Sequence, residues 1–572
     1  MIPQTNTRTG YYIYMAAGLL LFFLVVGRLF HLQVVKGDYY QGLSNRNHIR
    51  VVVKPAPRGL ILDRNGVVLA DSRPAFTVSV VPSEFDDSMT DLTASLLGIT
   101  GESLVKILDE ASSVPHRPVV VREGIGVGRV SPIAEEMYRI PGVLIDVAPL
   151  RRYRKPDEFC HILGYVGLSG DPDSYRGEVT GKMGIEKSMD NILRGVPGLH
   201  REVVDAVGRV VDEYREAESQ EPVPGKTVIL TMDAVLQDIA DSTLEKTGCA
   251  GSVVVLDYES GEVLCAVSKP GFDPNVFARG ITTGEWKNLM EDPGKPLFCR
   301  SWTASYPPAS TFKLVTAYWL LREGYIDENT MPNPCYGSLE LGDTRFGCWT
   351  IHGRLNVVGA IAQSCDIFFY RTCQYGDVDG LADYARMFGL GRTLTCGIPE
   401  ESPGLVPDSR YLNDRYGSGG WGLGNLLNLS IGQGELLATP LQMAVIAGIV
   451  ASGGAMPEPT VVAGCGTGKP VMNPRFVDSE AFDVITRGML QAVRSPSGTL
   501  HGAFDGFEYD FLGKTGTAEC TGKNHAIVVG FSRDPLPLAI CVFLEHGGYG
   551  GASAGPVARG VLEEYFERMD PR

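Results

Sequence analysis

The sequence is short of positive charge: 51 lysines and arginines stand against 67 aspartates and glutamates, a formal net charge of −16. Phosphate binding needs basic patches, so this balance argues against nucleic acid as the main partner. No stretch combines basic and aromatic residues densely enough to reverse it. Histidine is scarce too, with nine in 572 residues, and these form no obvious Ser-His-Asp set. A serine nucleophile in this chain therefore needs a base other than imidazole. Internal repeats and long low-complexity tracts are lacking, which leaves ordinary globular domains, more than one at this length.

Long apolar runs are lacking as well, except one. "YYIYMAAGLLLFFLVVG", Tyr11 to Gly27, carries no charge, and Leu29 and Phe30 extend it past Arg28. That approaches the roughly 20 residues a spanning helix requires. A cleaved signal would end in small residues at its cleavage site. Here Ala16, Ala17 and Gly18 lie in the middle. The run reads as an uncleaved anchor over residues 11–30 behind a short tail, 1–10; a cleaved signal or a buried core helix is the alternative. Arg8, Arg28 and Lys36 are too few to fix orientation by flanking charge.

Residues 38–220 mix strand-like runs such as Phe76–Pro82 with helical ones such as Glu102–Ala111, and show no cluster of catalytic residue types. "EAESQEPVPGK", Glu216 to Lys226, reads as a linker. From 227 the texture changes. "TVILTMD" is strand-like, Asp233 is a good N-cap for a helix ending at Gly248, and "GSVVVLDYESGEVLCAVSKP" reads as a hairpin. "HAIVVGFSRDPLPLAICVFLEH" repeats that form near the end. Strands at both ends with helices between imply one α+β domain, 227–572, whose sheet joins both ends of the segment.

"SYPPASTFK", Ser305 to Lys313, sets a hydroxyl and an amine three residues apart behind a stiff Pro-Pro turn. On a helix those positions share a face. Lysine can serve as the base if burial or a second cation lowers its pKa. The helix N-terminus adds N–H groups for a developing oxyanion. Ser-x-x-Lys alone is weak, since Ser103 and Lys106 repeat it. Lys-Thr-Gly is weak too, since it recurs at Lys246-Thr247-Gly248. The signal is the order: Ser310 and Lys313, then Ser364-Cys365-Asp366, then Lys514-Thr515-Gly516-Thr517 before the last strand pair. Serine-lysine acyl-transfer enzymes use three such pieces in this order.

On these residues the chain resembles the penicillin-binding proteins of class B, the peptidoglycan D,D-transpeptidases. "PRGLILDRNGVVLA" (Pro57 to Ala70), "GKMGIEKSMDNILRGVPG" (Gly181 to Gly198) and "LTMDAVLQ" (Leu230 to Gln237) are similar to the family's pedestal and entry motifs. "SIGQGELLATPLQMA" (Ser430 to Ala444) and "GKTGTAE" (Gly513 to Glu519) match it closely. No glycosyltransferase-like segment precedes the pedestal, unlike the bifunctional class A. "HGRLNV...SCDIFFY" is most similar to the elongation-type enzymes, which pair with a RodA-type polymerase. Three departures stand out. Ala309 occupies a position where glycine is common, Asp366 replaces a usual asparagine, and "HAIVVGF" lacks an aromatic after His525-Ala526.

The resemblance implies a single transmembrane anchor, a mixed α/β pedestal (the dimerisation-like domain) and a transpeptidase domain with a central antiparallel sheet flanked by helices. It implies that Ser310 attacks the carbonyl of a D-Ala-D-Ala stem peptide while Lys313 takes its proton. Ser364 would relay a proton to the departing D-Ala. Lys514 would keep the site cationic, lower the pKa of Lys313 and favour the substrate carboxylate. Thr515 and Thr517 hydroxyls would bind that carboxylate alongside Gly516 and Asp366, with the oxyanion between the N–H groups of Ser310 and Thr517. β-Lactams would trap Ser310. Implied partners are stem peptides, a RodA-type polymerase and other elongation-complex membrane proteins, with the bulk of the chain on the periplasmic side of the cytoplasmic membrane and no organic cofactor.

Between the first two motifs lie Cys335, Cys348, His352 and Cys365, spaced C-x12-C-x3-H-x12-C. Three thiolates and one imidazole suit a structural, tetrahedral zinc, and some elongation-type relatives carry a similar site. A Cys335–Cys348 disulfide or buried free thiols are the alternatives, and Cys373 is a substitute ligand. Rival functions are a β-lactamase or D,D-carboxypeptidase of the same fold, and a β-lactam sensor or membrane scaffold for a polymerase.

Overall fold

The computed structural model describes residues 7–37, 49–110, 115, 118–172, 174–175, 177–204, 210–213, 219–394 and 397–569. The start of the expected tail (1–6), the start of the expected pedestal (38–48) and the first residues of the expected linker (216–218) lie outside them. Helix α1, Thr7–Phe30, carries the apolar run. Its window Gly10–Val35 has a mean hydropathy of 2.2 and none of it is buried, so it is long and apolar enough to cross a membrane.

The chain divides into two compact units, Met1–Pro57 with Pro74–Pro149 and Val196–Pro224, and Arg58–Arg73 with Leu150–Gly195 and Gly225–Arg572. The segments of the two units alternate along the chain. Backbone hydrogen bonds show why. Val228 and Leu230 donate to the carbonyls of Leu60 and Leu62, and Arg64 donates to that of Met232. Ile61, Leu69, Phe159, Ile162 and Ile185 join the large core of the second unit. The polar residues of the "PRGLILDRNG" and "GIEKSMD" motifs lock the same assembly. Glu186, fully buried, accepts from Arg58 Nε at 3.0 Å and Arg151 Nε at 2.5 Å. Removing one partner of such a group leaves an uncompensated buried charge. Asp63 accepts from the amides of Asn65, Val67 and Ala234.

In the first unit, Ile49–Lys54 pairs antiparallel with Gly198–Val204, which also pairs with Val210–Glu213. Residues 219–226 are tied rather than loose, since Gln220 bridges to Leu199 and Val223 to Val196. Val78, Val80, Leu97, Ile125 and Ile133 form a separate small core. The decoy Ser103 and Lys106 lie on the helix Gly101–Glu110, where Lys106 Nζ stands 4.0 Å from Glu110 Oε1.

In the second unit, "TVILTMD" yields only a two-residue strand, Val228–Ile229, which pairs parallel with Ile61–Leu62. Helix α2, Ala234–Glu245, follows, with Asp233 accepting from the amides of Val235 and Leu236. The central sheet contains β1 (Gly251–Asp257), β2 (Val263–Lys269), β3 (Phe511–Ala518), β4 (His525–Ser532) and β5 (Leu538–Leu544), in the order β2-β1-β5-β4-β3 and antiparallel throughout. Both faces are covered, so its strands read as continuous apolar runs, and alternation sorts each residue to a face. Val253, Val255, Ile540 and Val542 join the core with Leu236 of α2 and Val561 of the C-terminal helix. Val254, Leu256, Cys541 and Phe543 join the other core with Val445 and Ile449. Those last two belong to the helix Pro440–Ala451, whose first turn is set by a Thr439/Gln442 capping box and a proline. Nearly every residue of that helix is buried.

Candidate active site and metal cluster

The Pro-Pro turn delivers the chain into a short 3-10 turn, Ala309–Phe312, which continues as helix α3, Lys313–Arg322. In a 3-10 turn, side chains three apart eclipse, so Ser310 and Lys313 share one face. Ala309 has φ of +50°, a conformation that favours glycine. Its N–H donates to the Gly432 carbonyl at 2.8 Å. A Cβ on Gly432 would stand 2.2 Å from the Ala309 carbonyl oxygen, so only glycine fits there. The "SIGQG" segment is thus the strap that holds the Ser310 turn, and Gln433 Nε2 extends it to the Thr517 carbonyl at 3.2 Å. Ala309→Gly is expected to raise unfolding stability by about 0.5–1 kcal/mol through relief of the left-handed strain, read as a higher Tm. An unchanged or lower Tm would show that the turn carries no such strain.

Lys313 is fully buried. Its Nζ donates to Asp366 Oδ1 at 2.7 Å, Ser364 carbonyl oxygen at 3.0 Å and Ser364 Oγ at 3.3 Å. It also stands 5.6 Å from the Phe369 ring centre. Lys514, at the heart of β3, is equally buried. Its Nζ donates to Ser364 Oγ at 2.7 Å and to the Thr515 carbonyl at 2.9 Å. Burial, reinforced by the nearby Lys313 charge, holds the Lys514 amine well below the ordinary lysine range, against a smaller pull from Asp366. Burial raises the Asp366 carboxyl, opposed chiefly by the Lys313 charge. Ser364 sits at φ of +55°, a second strained position at this centre.

All the sequence-chosen residues therefore converge. Ser310 and Lys313 enter from the α3 turn, Ser364 and Asp366 from the junction before the helix Asp366–Thr372, and Lys514, Thr515, Gly516 and Thr517 from β3. The Ser310 hydroxyl has no hydrogen-bond partner among the described residues. A Cβ on Gly516 would come within 3.0 Å of Thr311 Cγ2 and 3.2 Å of the Pro308 carbonyl, so the glycine lets β3 lie close to the nucleophile turn. The Thr515 hydroxyl is engaged, donating to Thr499 Oγ1 at 3.0 Å. The Thr517 hydroxyl receives only a long contact, 3.5 Å from Gly550 N. Sequence reasoning missed Thr499 and Gln433, because neither stands in a recognisable catalytic spacing.

Beside this centre, one donor atom from each of Cys335, Cys348, His352 and Cys365 lies within 4.8 Å of the others. His352 Nδ1 is 3.6 Å from Cys335 Sγ and 3.5 Å from Cys348 Sγ. Tetrahedral zinc with ordinary Zn–S and Zn–N bonds requires such pairs to stand about 3.5 Å apart. The hairpin Ser338–Leu341/Thr344–Gly347 returns Cys348 beneath Cys335. Cys348 Sγ also accepts from the Asp366 amide at 3.3 Å. The neighbouring Cys365 thiol draws the Cys348 thiol below the ordinary cysteine range, and Cys348 together with burial pushes Cys365 up. No cysteine among the described residues is in a disulfide, and Cys373 lies apart, bonded to the Tyr370 carbonyl.

Comparison with known proteins gives concordant results. Residues 251–563 match the penicillin binding protein transpeptidase domain family, and residues 53–230 the penicillin-binding protein dimerisation domain family. The chain is 31% identical to the peptidoglycan D,D-transpeptidase MrdA of Acinetobacter baumannii, over 97% of this chain and 87% of that relative. It is 30% identical to MrdA of Escherichia coli, over 95% and 92%. Among solved structures, penicillin-binding protein PBP2 of Helicobacter pylori in complex with MreC superposes with a TM-score of 0.81 at 27% identity, covering 91% of this chain and 99% of that one. A peptidoglycan synthase complex, described as coordinating polymerization and crosslinking, gives 0.71 at 29% identity, covering 98% of each chain.

Proposed function

The chain belongs to the penicillin-binding proteins, as a peptidoglycan D,D-transpeptidase of the elongation type, and from that premise we propose how its own residues divide the reaction. It cross-links stem peptides through a serine acyl-enzyme in cell-wall elongation and binds penicillin. Ser310 Oγ attacks the carbonyl of the penultimate D-Ala, and its proton passes to Lys313 as the neutral amine, Lys313 having first given its own proton to the Asp366 carboxylate, 2.7 Å away. The tetrahedral oxyanion sits between the N–H groups of Ser310 and Thr517. Ser364, bonded by both lysines, carries a proton to the departing D-Ala, and the amine of a second stem peptide then resolves the ester. Lys514, Gly516 and the Thr517 hydroxyl receive the substrate carboxylate, with Thr515 holding the strand through Thr499 and Asp366 positioning Lys313.

The observation that carries this reading is the convergence of two buried lysines on the one Ser364 hydroxyl, at 3.3 and 2.7 Å, beside an unbonded Ser310. The test is the intact mass of the full chain in detergent after penicillin treatment. One adduct on the parent and none on Ser310→Ala is expected. A folded parent without an adduct would overturn the assignment, and rapid turnover of the penicillin would point to a hydrolase.

Cys335, Cys348, His352 and Cys365 fit a structural zinc, which would brace the loop presenting Ser364 and Asp366. Support comes from the donor spacing and from Cys365 being the residue between those two. Protein purified without chelator is expected to carry one zinc more than Cys335→Ser, by elemental analysis. Equal zinc in the two would remove the assignment. A RodA-type polymerase and other elongation-complex membrane proteins are the partners we infer, from the complexes formed by structural relatives. The helix Thr7–Phe30 would anchor the chain with its bulk on the periplasmic side, where the cross-linking substrate lies.

A further inference from the structure

A second convergence of metal-binding side chains lies away from Ser364. Cys520, His525 and His546 each bring one donor atom within 4.8 Å of the others. They come from three places. Cys520 is in the turn after β3, His525 opens β4, and His546 follows the end of β5. Cys520 Sγ is 3.6 Å from His546 Nδ1 and 4.0 Å from His525 Nδ1. Two donors on a tetrahedral zinc stand about 3.5 Å apart, so one pair is already at ligand spacing and the other is within a small side-chain adjustment. The Lys523 carbonyl oxygen completes the cluster, 3.3 Å from Cys520 Sγ and 2.8 Å from His546 Nδ1.

We propose that Cys520, His525 and His546 form a second zinc site, with three protein ligands and the Lys523 carbonyl beside an open fourth position. One thiolate and two imidazoles suit a borderline ion such as zinc and do not suit magnesium or calcium, which prefer oxygen. The surrounding backbone prepares the site. The His546 N–H donates to His525 Nδ1 at 3.0 Å, which sets the ring proton on Nε2 and leaves Nδ1 unprotonated; the ion takes the place of that hydrogen bond when it binds. His546 sits at φ of +52°, a strained conformation of the kind that persists where its surroundings over-determine it. Gly548 N–H donates to the Asn524 carbonyl at 2.7 Å, clasping the 519–524 turn to the exit of β5. On binding, the Cys520 thiol releases its proton to solvent, and the His546 proton moves from Nδ1 to Nε2, freeing Nδ1 for the ion.

The position gives the site a consequence. The His525 ring meets Tyr306 edge-on at 5.8 Å, and the Tyr306 hydroxyl donates to Glu545 at 2.6 Å, one residue before His546. Tyr306 precedes the Pro-Pro turn that places Ser310. An ion here fixes the turn at the end of the Lys514 strand to the residues that hold the start of the nucleophile turn.

The experiment uses the full chain in detergent, stripped of metal, reloaded with zinc and freed of excess by gel filtration. Cys520→Ser and His546→Asn are each expected to carry one zinc fewer than the parent while still forming the penicillin adduct at Ser310. Asparagine tolerates the left-handed backbone at 546. Titration with cobalt should show a thiolate-to-cobalt absorption that weakens in both variants, with His546→Asn binding at least about tenfold more weakly. Zinc content equal to the parent in both variants would overturn the proposal. So would loss in Cys520→Ser alone, which would mark a lone reactive thiol. The Cys335→Ser comparison leaves this ion in place, so the two clusters are tested separately.

Discussion

Lys514→Met is expected to lower the rate of Ser310 acylation by about 10²–10³-fold, the loss that follows removal of one aimed donor from a preorganised site, and yet to stabilise the fold. Its amine is buried against β3 with a second ammonium close by, and both burial and that neighbour push its pKa well down. The unfolded chain therefore binds a proton more readily at this lysine than the folded chain does. Between the depressed value and the ordinary lysine value, wild-type stability rises with pH; at neutral pH the mismatch is a cost. Methionine fills the same volume without a charge to desolvate, and a gain of about 1 kcal/mol at pH 7 follows. The gain should shrink toward pH 10, where the unfolded lysine also loses its proton. Urea unfolding at both pH values, beside penicillin acylation kinetics, reads the effect. A variant less stable than the parent at pH 7 would refute it.

Lys313→Met should reduce acylation as severely, by about 10²–10⁴-fold if the base is lost, and should move stability the other way. Lys313 is the cation for Asp366 Oδ1 at 2.7 Å and the donor to the Ser364 carbonyl. Without it a largely buried carboxylate is left uncompensated, and a loss of about 3 kcal/mol is expected. Adding Asp366→Asn should recover most of that stability and none of the acylation, since the amide restores neutrality but supplies no base. Recovery of both together would mean that Lys313 acts only as a counter-ion. Two lysines with similar burial and a shared serine are thus separated by the sign of their contribution to folding, because one faces a carboxylate and the other faces a cation.

Much of this was legible in local pattern. The Asp233 cap and Gly248 stop bracket a real helix, whose C-terminal Lys-Thr-Gly is only its end. The two apolar hairpins are strands of one sheet, because strands buried on both faces carry little but β-branched and aromatic residues. The proposed catalytic set was legible because each member sits in a short motif. What escaped depends on contacts between distant positions. Arg58 and Glu186 belong to the larger unit through a buried ion cluster that no local composition signals. Gly432 looked like part of a matching phrase; its need for glycine arises only where the Ala309 carbonyl approaches it. Cys520, His525 and His546 have unremarkable spacing and meet only because β4 and β5 return to the same end of the sheet.

That sheet also dictates when the protein can finish folding. β1 lies between β2 and β5, with Gly251 opposite Leu544. During synthesis the hairpin β1–β2 exists long before its other partner emerges from the ribosome, and its open edge and apolar faces must wait through all the intervening helices. Pairing so remote in sequence is slow and leaves edges exposed to aggregation. Chains released before Leu538 lack the strand that closes that edge, so β1 and β2 cannot join the strand that carries Lys514 in one sheet.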